Sequence, residues 1–587
     1  FPRGDVMTIA TNIGAAKMES DVTCQNVPYQ VWEVVGGGDA GGIVVRAGYE
    51  LNSTKVSDRL ATGAFVRELE IRGTRLHFQR LTGNGPSEGW VTIQLNGKDL
   101  LVKGRLSIRS LVMKTSGGTR QIQDRYDFDD RVPMGAGGFG SIFLAKHKAS
   151  GEERALKMIT ISARPRRSEL DAINAELTAL IKLDHPHIMR MYEFFEEPTA
   201  IYMVTEMLSG GTFGDYFEPR TYVMEHGRLL FRDVVLALIY CHDMGVVHRD
   251  LKCENCLIAE GLQRPLGKVI DFGVAAIRQR CEREELWLKD LTGTPFYRAP
   301  EVIDFNRPYG PKADVWSLGV MLYLALTGEH PFHDGGFAAP PMGFQEKLRT
   351  FSYFDTKILE SEQIPSKAAE LVPHLLKVDE ASRYDATQVL ESDWLKDGSL
   401  ISTVSDLEAT TQPSAKRETT DSLFVRACTF RNLQRFERAI LRLLAHSLQE
   451  HEISELRMRF KRVDTNNSGT LSRDEILNAF EGADISISDE EFEKLFLALD
   501  ADGTGKIQYT EWLAAVVKPS AILKDSAMKE VFGYFDLDGS GKISRQEMRS
   551  LLGDFGDDML KAADGDEMTW EEFKELMEKI ASARAVM

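Results

Sequence analysis

Two kinds of residue spacing in this 587-residue chain point to chemistry, one on phosphate and one on a divalent cation. The first is a glycine loop, Gly135-Ala-Gly137-Gly-Phe-Gly140, with apolar strand-like sequence on either side, Ser141-Ile-Phe-Leu-Ala following it. Three glycines at this spacing also make ordinary hairpins. The flanks here predict strand–turn–strand closing over phosphates, not the strand–turn–helix of a dinucleotide fold. Further on, Lys157 stands in the strand-like Ala155-Leu-Lys157, within reach of α- and β-phosphates. Glu176, in a helical stretch over 170–183, is placed to pair with Lys157 and fix its direction.

The second kind recurs three times. A calcium loop needs oxygen ligands at positions 1, 3, 5, 7, 9 and 12, glycine at 6 and an apolar residue at 8, with position 7 acting through its carbonyl. Asp464, Asn466, Ser468, Gly469, Thr470, Leu471, Ser472 and Glu475 meet this. So do Asp500, Asp502, Thr504, Gly505, Lys506, Ile507, Gln508 and Glu511, and again Asp536, Asp538, Ser540, Gly541, Lys542, Ile543, Ser544 and Glu547. The loops start at 464, 500 and 536, two equal steps of 36 residues. Acidic surface loops between helices produce one such match by accident, not three in phase. The first loop carries two charged ligands, Asp464 and Glu475, where the others carry three, so weaker binding is expected there. A fourth loop ending at Glu572 would put Lys561, Ala563 and Gly565 at positions 1, 3 and 5. It is expected to bind calcium poorly or not at all, while still packing against the third.

The strings that decide the phosphate reading come later: His248-Arg249-Asp250-Leu251-Lys252-Cys253-Glu254-Asn255, then Asp271-Phe272-Gly273, then Ala299-Pro300-Glu301. Any one of them alone is often just a turn. In this order they carry a resemblance to the eukaryotic protein kinase family over 126–395. That resemblance implies a bilobal α+β fold. It implies that Asp250 accepts or orients the substrate hydroxyl proton, that Lys252 steadies the moving phosphoryl group, and that Asn255 and Asp271 hold magnesium. It implies an ATP site formed by Met134, Gly135, Gly137, Gly140, Ile142, Ala155, Lys157 and Thr205, with a hinge over Glu206–Leu208. Asp314 and the pair Glu301–Arg383 look like structural anchors. Lys252 and Gly293-Thr294-Pro295 match the serine/threonine branch; Glu254 fits a preference for basic flanking residues, while Thr212 departs from it. A pseudokinase would usually have lost Lys157, Asp250 or Asp271, and all three are present.

These residues need elements to hold them, and the rest of the chain supplies four regions. Hydrophobic content of 43% and charged content of 27% are ordinary for globular protein, and the length fits three or four domains. A net charge of −18 argues against nucleic acid as a partner. Six cysteines without a disulfide framework suit a reducing, cytoplasmic-type compartment, and the lone Cys253-x-x-Cys256 has no second half for zinc. No apolar run is long enough for a membrane span; the most apolar stretch, over 315–326, reads as a buried helix. Because the first residue is Phe1, an N-terminal lipid anchor would not be seen. Residues 1–30 read as a segment outside the domains, open to disorder. Over 31–110, short alternating runs such as VWEVV, GGIVVRAG and GWVTIQL, separated by turn signals, predict a small antiparallel barrel. Gly42–Gly48, Arg59–Gly63 and Gly89-Trp90-Val91 resemble an SH3-like domain, which implies a protein-binding module. Residues 396–420 read as a linker.

Residues 421–450 then predict a basic amphipathic helix, with Phe424, Leu433, Phe436, Ile440, Leu443 and Leu444 on one side and Arg431, Arg435, Arg438 and Arg442 on the rest. A kinase-like region, a linker, such a helix and a calmodulin-like, all-α domain over 451–587 resemble the calcium-dependent protein kinases of plants and protists. The resemblance covers 126–587 and implies ATP, magnesium and calcium as cofactors, protein Ser/Thr substrates, and contact between kinase and sensor within one chain. Without calcium the junction helix is expected to block or distort the cleft; with calcium the hands are expected to take its Phe436, Ile440 and Leu443 side. A sensor that braces the kinase is the alternative, and a calcium-responsive scaffold without catalysis is the rival function. The acids Glu282, Glu284 and Glu285 are expected to serve Arg249 in place of an activating phosphate.

Overall fold

The structure, a computed structural model, describes residues 31–103, 121–396, 420–552 and 566–585 apart from short internal stretches, the longest at 218–225, 278–287 and 333–356 without Leu348. The expected N-terminal segment 1–30, most of the linker and Lys561, Ala563 and Gly565 of the fourth loop lie outside the described residues. The chain forms two compact units, one built on the residues up to Arg105 together with Asp489–Leu497 and Asp502–Gly505, the other on the remainder.

The first unit is built on an antiparallel sheet of β1 (Val31–Val34), β2 (Ile43–Arg46), β3 (Lys55–Leu60), β4 (Phe65–Arg72), β5 (Arg75–Arg80), β6 (Glu88–Thr92) and β9 (Leu101–Lys103), with a small hairpin of β7 (Gln94–Leu95) and β8 (Lys98–Asp99) beside it. The strand order is β3-β2-β6-β5-β4-β1-β9. Strict alternation turns Ile43 and Val45 inward along β2. Leu60 and Leu101 come from opposite edges of the sheet yet share one buried cluster with Trp32, Val34, Phe78 and Val91. The sheet is therefore curled around its own core, as the alternating runs predict.

In the second unit, β10 (Tyr126–Phe128), β12 (Gly140–His147), β13 (Glu153–Thr160), β15 (Ala200–Thr205) and β14 (Met191–Glu197) pair in that order, and β11 (Gly135–Gly137) pairs with β12. β13 lies in the middle, with Lys157 opposite Ile142 on one side and Met203 on the other. The helix Arg167–Lys182 belongs to this small lobe. The large lobe is helical, around His226–Asp243 and Lys312–Thr327. The second of these is buried on nearly all sides and ends at Gly328, whose φ of 75° caps it in the left-handed region. Among the described residues no helix is long and apolar enough to cross a membrane.

The expected single junction helix is two helices, Thr420–Asn432 and Arg435–Ser447. The break has a local cause: the Glu437 carboxylate reaches back to accept the Gln434 N–H at 2.7 Å, starting a new helix there. Helix pairs then flank each calcium loop. The apolar position 8 residues join the first two loops through a bridge between Leu471 and Ile507. In the third loop, strand Lys542–Ser544 pairs with Glu567–Thr569, setting Ile543 opposite Met568. The degenerate fourth hand thus supports the third by packing.

Candidate active site and calcium loops

β13 and the helix Arg167–Lys182 bring Lys157 to Glu176, with Nζ 2.6 and 2.7 Å from the two carboxylate oxygens. Burial pushes the Glu176 carboxyl above its ordinary value; Lys157 pulls it down and Asp271 pushes it up, so all three share one space. Asp250 is the centre of a second network. Its Oδ1 accepts from the Thr294 N–H at 2.6 Å and hydroxyl at 2.7 Å. Its Oδ2 accepts from Lys252 at 2.8 Å and Asn255 at 3.2 Å. Lys252 also donates to the Thr294 hydroxyl at 2.9 Å, and Asn255 to the Asp250 carbonyl at 2.8 Å. Thr294 can come this close because its neighbour is glycine: Gly293 has φ of 82°, and a Cβ there would lie 2.3 Å from the Arg249 carbonyl oxygen.

Arg249 and Asp271 hold φ of 67° and 61°, a strained region for residues with side chains. Buried Asp314 fixes the first, accepting the N–H groups of His248 and Arg249 at 2.9 and 2.8 Å and a bond from His242 at 2.9 Å. Burial alone would raise the Asp314 carboxyl; those bonds bring it below its ordinary value. His248 accompanies the second, bonding the Ile270 carbonyl at 3.0 Å and packing on Phe272. Arg383 grips Glu301 at 2.5 and 2.9 Å, as the anchor reading implies.

The other expected nucleotide contacts lie on or beside β11, β12, β13 and β15. Gly135 and Gly137 lie opposite Ile142 and Gly140 in the β11–β12 hairpin, and Met134, exposed, donates its N–H to the Ile142 carbonyl at 2.7 Å. Ala155 faces buried Thr205 across β13 and β15, and Leu208 is half-buried beyond it. Glu206 follows Thr205 at the expected hinge. Its carboxylate is spent elsewhere, accepting the Arg190 N–H at 2.7 Å and Lys268 at 2.8 Å, so its backbone alone remains for a nucleotide. Arg249 pairs with Asp290 at 2.7 and 2.6 Å, a partner the sequence reading did not weigh; Glu282, Glu284 and Glu285 lie outside the described residues.

In the calcium loops, carboxylate oxygens of Asp500, Asp502 and Glu511 lie within 4.8 Å of one another, as do those of Asp536, Asp538 and Glu547. An all-oxygen donor set of this kind fits a hard cation such as calcium. The first loop has only two carboxylates, and burial pushes Asp464 up to about 6. At position 7, the Lys506 and Lys542 side chains point away to Asp243 and Glu567, consistent with ligation by the carbonyl.

The hands hold the junction. Phe436, Ile440, Leu443 and Leu444 are buried, and their helix packs on Tyr509–Val516 and Asp525–Phe535. Phe424 packs on Phe480 and Trp512. The basic side is not a solvated face. Arg442 is buried and donates to the Ala498 carbonyl at 2.8 Å, and burial pushes Arg435 and Arg438 down to about 9 and about 10. The sensor also meets the catalytic domain. Arg154, fully buried, donates to Glu530 at 3.2 and 3.3 Å, and Arg125 to the Gly533 carbonyl at 2.8 Å. Arg190 donates to the Leu448 carbonyl at 3.0 Å, closing the end of the second junction helix. Lys268 links Glu206 to Glu450, and Asp184 accepts the Thr510 N–H and hydroxyl at 2.7 and 2.8 Å.

Family models match this chain as a protein kinase domain over 128–395, an EF-hand domain pair over 453–517 and an EF-hand domain over 527–556. Among curated relatives, calcium-dependent protein kinase 26 of Oryza sativa subsp. japonica is 32% identical over 373 residues, 62% of this chain and 63% of the relative. Calcium-dependent protein kinase 28 of the same plant is 32% identical over 383 residues, 64% of this chain and 67% of the relative. Calcium-dependent protein kinase 24 is 30% identical over 383 residues, 65% and 69%. The chain thus spans slightly under two thirds of the first relatives, 63% for the first, and slightly over two thirds of others. A kinase domain implies ATP and magnesium, and EF-hands imply calcium. With the cleft, the hands and the relatives in agreement, the chain belongs to the calcium-dependent protein kinase family.

Proposed function

We propose that this protein transfers the γ-phosphate of ATP to Ser and Thr hydroxyls of protein substrates under the control of calcium. The observation that carries the reading is the joint presence of the paired Lys157–Glu176, the Asp250–Lys252–Thr294 network and a junction buried in the hands. Asp250 has the position of the group that orients the substrate hydroxyl and takes its proton, and Lys252 that of a counter-charge for the phosphoryl group in flight. Lys157, aimed by Glu176, holds the phosphates, while β11 and β12 cover them. Asn255 and Asp271 would hold magnesium, which when bound neutralises the phosphate oxygens. Thr294, tied to both Asp250 and Lys252, supports a hydroxyl acceptor of the serine/threonine type.

In this reading the first three loops bind calcium and the fourth does not. Without calcium the junction helices leave the hands and occlude or distort the cleft. Switching from mostly closed to mostly open needs calcium to favour the open state by about 5 kcal/mol, roughly ten-thousandfold, which several sites together can supply. Bracing adds to release: Arg154 sits on β13 beside Ala155, three residues before Lys157, and its partner Glu530 belongs to the sensor. Cys241, Cys253 and Cys256 are buried thiols, and a reducing, cytoplasmic compartment is the proposed location. The N-terminal sheet is read as a protein-binding module.

The test is phosphorylation of a general peptide with labelled ATP, with calcium or chelator. Activity in calcium should fall by orders of magnitude in Asp250→Asn and Lys157→Met, with calcium binding unchanged. Equal activity in these variants would defeat the enzyme reading in favour of a scaffold. Truncation after Leu400 separates the two forms of control: an active, calcium-indifferent kinase means release alone, an inactive one means the brace is required.

A further inference from the structure

Between the large lobe and the sensor lies a cavity of about 750 Å³. That is the size of a small-molecule site, typically ~300–1,000 Å³. Its floor is apolar: Ile239, Val247, Pro311 and Ala386 from the large lobe. Part of its wall comes from the sensor, through Asn466 and Ser468 of the first calcium loop and Lys506 of the second. Without the docked sensor the site is incomplete.

The charged groups around it already hold hydrogen-bond partners. Lys506 pairs with Asp243 at 2.8 Å, and His242 with Asp314 at 2.9 Å. Lys312 donates to the carbonyls of Ala381 and Arg383 at 3.2 and 2.6 Å. Glu380 accepts the Gly310 N–H at 3.2 Å, and Asp385 the Gln388 N–H at 2.8 Å. A charged ligand would lose its hydration and compete with the hydrogen bonds these groups already make. An apolar body loses nothing by entering.

We propose that this cavity binds a small neutral molecule with an apolar body and one polar edge, completed by the docked sensor and coupled to calcium at the first loop. Asn466 and Ser468 are positions 3 and 5 of that loop, so the side chains that close the cavity are those that calcium would organise. By linkage, a ligand that binds only the docked form must raise the protein's apparent calcium affinity by the same factor that calcium raises its own. This goes beyond the kinase reading, and its test is read without phosphoryl transfer.

The probe is N-phenyl-1-naphthylamine, neutral and fluorescent in apolar surroundings, titrated into the full chain. Its anionic relative 8-anilinonaphthalene-1-sulfonate serves as the charge control. Thr387→Trp and Ala381→Trp each fill the cavity from an exposed position on the large lobe and replace no catalytic or calcium-ligating residue. Expected are saturable binding of the neutral probe at least tenfold tighter in calcium than in chelator, weaker binding of the anion, and a tenfold or greater loss in both variants at unchanged melting temperature. Equal binding in chelator, a preference for the anion, or full binding in either stably folded variant would overturn the proposal.

Discussion

The first and third calcium loops follow one hydrogen-bond plan. In the first, the Ser468 N–H donates to Asp464 and Asn466 at 2.9 and 2.8 Å, and Gly469 to Asp464 at 2.9 Å. In the third, Ser540 donates to Asp536 and Asp538, both at 2.9 Å, and Gly541 to Asp536 at 3.0 Å. Position 12 closes both, with Glu475 accepting the Asn466 N–H and Glu547 the Asp538 N–H, each at 3.1 Å. They differ in what surrounds them. A Cβ at Gly541 would meet nothing within 4 Å, whereas one at Gly469 would lie 2.4 Å from the His185 ring. Arg232 donates to Asn467 at 3.2 Å, holding the next turn of the first loop to the large lobe. The third loop is open around Gly541, and its entry helix meets the catalytic domain through Glu530 and Gly533. The same local code therefore meets the catalytic domain by two routes, one through a loop and one through a helix.

Disabling each loop tests those routes with the largest effect. Glu475→Gln and Glu547→Gln remove equivalent position 12 charges, so each should lower calcium affinity at its own loop by about a hundredfold or more. Activation should suffer more from Glu475→Gln, because that loop itself forms the contact with the large lobe. Calcium titration of peptide phosphorylation reads this; an equal or greater shift in Glu547→Gln would mean that the loop contact carries no signal.

Next in size is the helix route. Arg154 and Glu530 are 0% and 3% exposed, and removing one partner leaves the other buried and unpaired in the docked state. A loss of about 3–5 kcal/mol is typical of that kind of break. Arg154→Met should raise the calcium midpoint steeply. Arg154→Met/Glu530→Met should recover much of the loss, since two apolar side chains leave no stranded charge. If the double variant is no better than the single one, the pair does not act as a unit.

A smaller effect isolates the loop contact. Gly469→Ala and Gly541→Ala meet the same backbone penalty, with φ of 75° and 79°. The methyl added by Gly469→Ala would also have to displace the buried His185 ring, an overpacking cost of about 1–3 kcal/mol. Docking, followed by limited proteolysis in calcium, should weaken in Gly469→Ala beyond its effect at 541. Adding His185→Ala should restore the difference. Equal behaviour of the two alanine variants would remove the loop from the contact.

These experiments concern contacts that were hard to read from sequence, while their endpoints were easy. Lys157, Asp250, Asp271 and the calcium ligands belong to short strings, whose spacing is fixed by one turn, one strand or one loop. The curled sheet was legible for the same reason, through period-two alternation. Arg154 and Glu530 are 376 residues apart, and each alone is an ordinary charged residue. Glu206 read as a nucleotide contact because it follows Thr205; that its carboxylate would turn to Lys268, and Lys268 to Glu450, depends on docking that no local pattern encodes. Asp290 was overlooked beside Glu282, Glu284 and Glu285, since sequence shows which acids are near Arg249 in number but not which the segment folds towards it. The junction break turned on one reach of Glu437 to Gln434, a choice worth about a single capping bond.

The smallest expected change asks whether charge count or surroundings set the first loop's affinity. Asn466 and Asp538 occupy the same position 3 and accept the same bond, at 2.8 and 2.9 Å, so Asn466→Asp adds a charge without altering the loop's plan. It brings the charged ligands from two to three, matching the third loop. Calcium gains a carboxylate in place of an amide oxygen, on the order of 1 kcal/mol in partly solvated surroundings. The calcium-free loop meanwhile gains repulsion, for burial already pushes Asp464 up to about 6 and Glu475 adds to it. Both effects favour the loaded form, so calorimetry should show affinity at the first loop rising about threefold to tenfold, with Asp538→Asn producing the converse at the third. An unchanged first loop would mean that His185 and Arg232 hold its geometry so firmly that charge no longer limits it. The route through the loop would then be set by packing against the large lobe, and the difference between the two hands would lie wholly in what they touch.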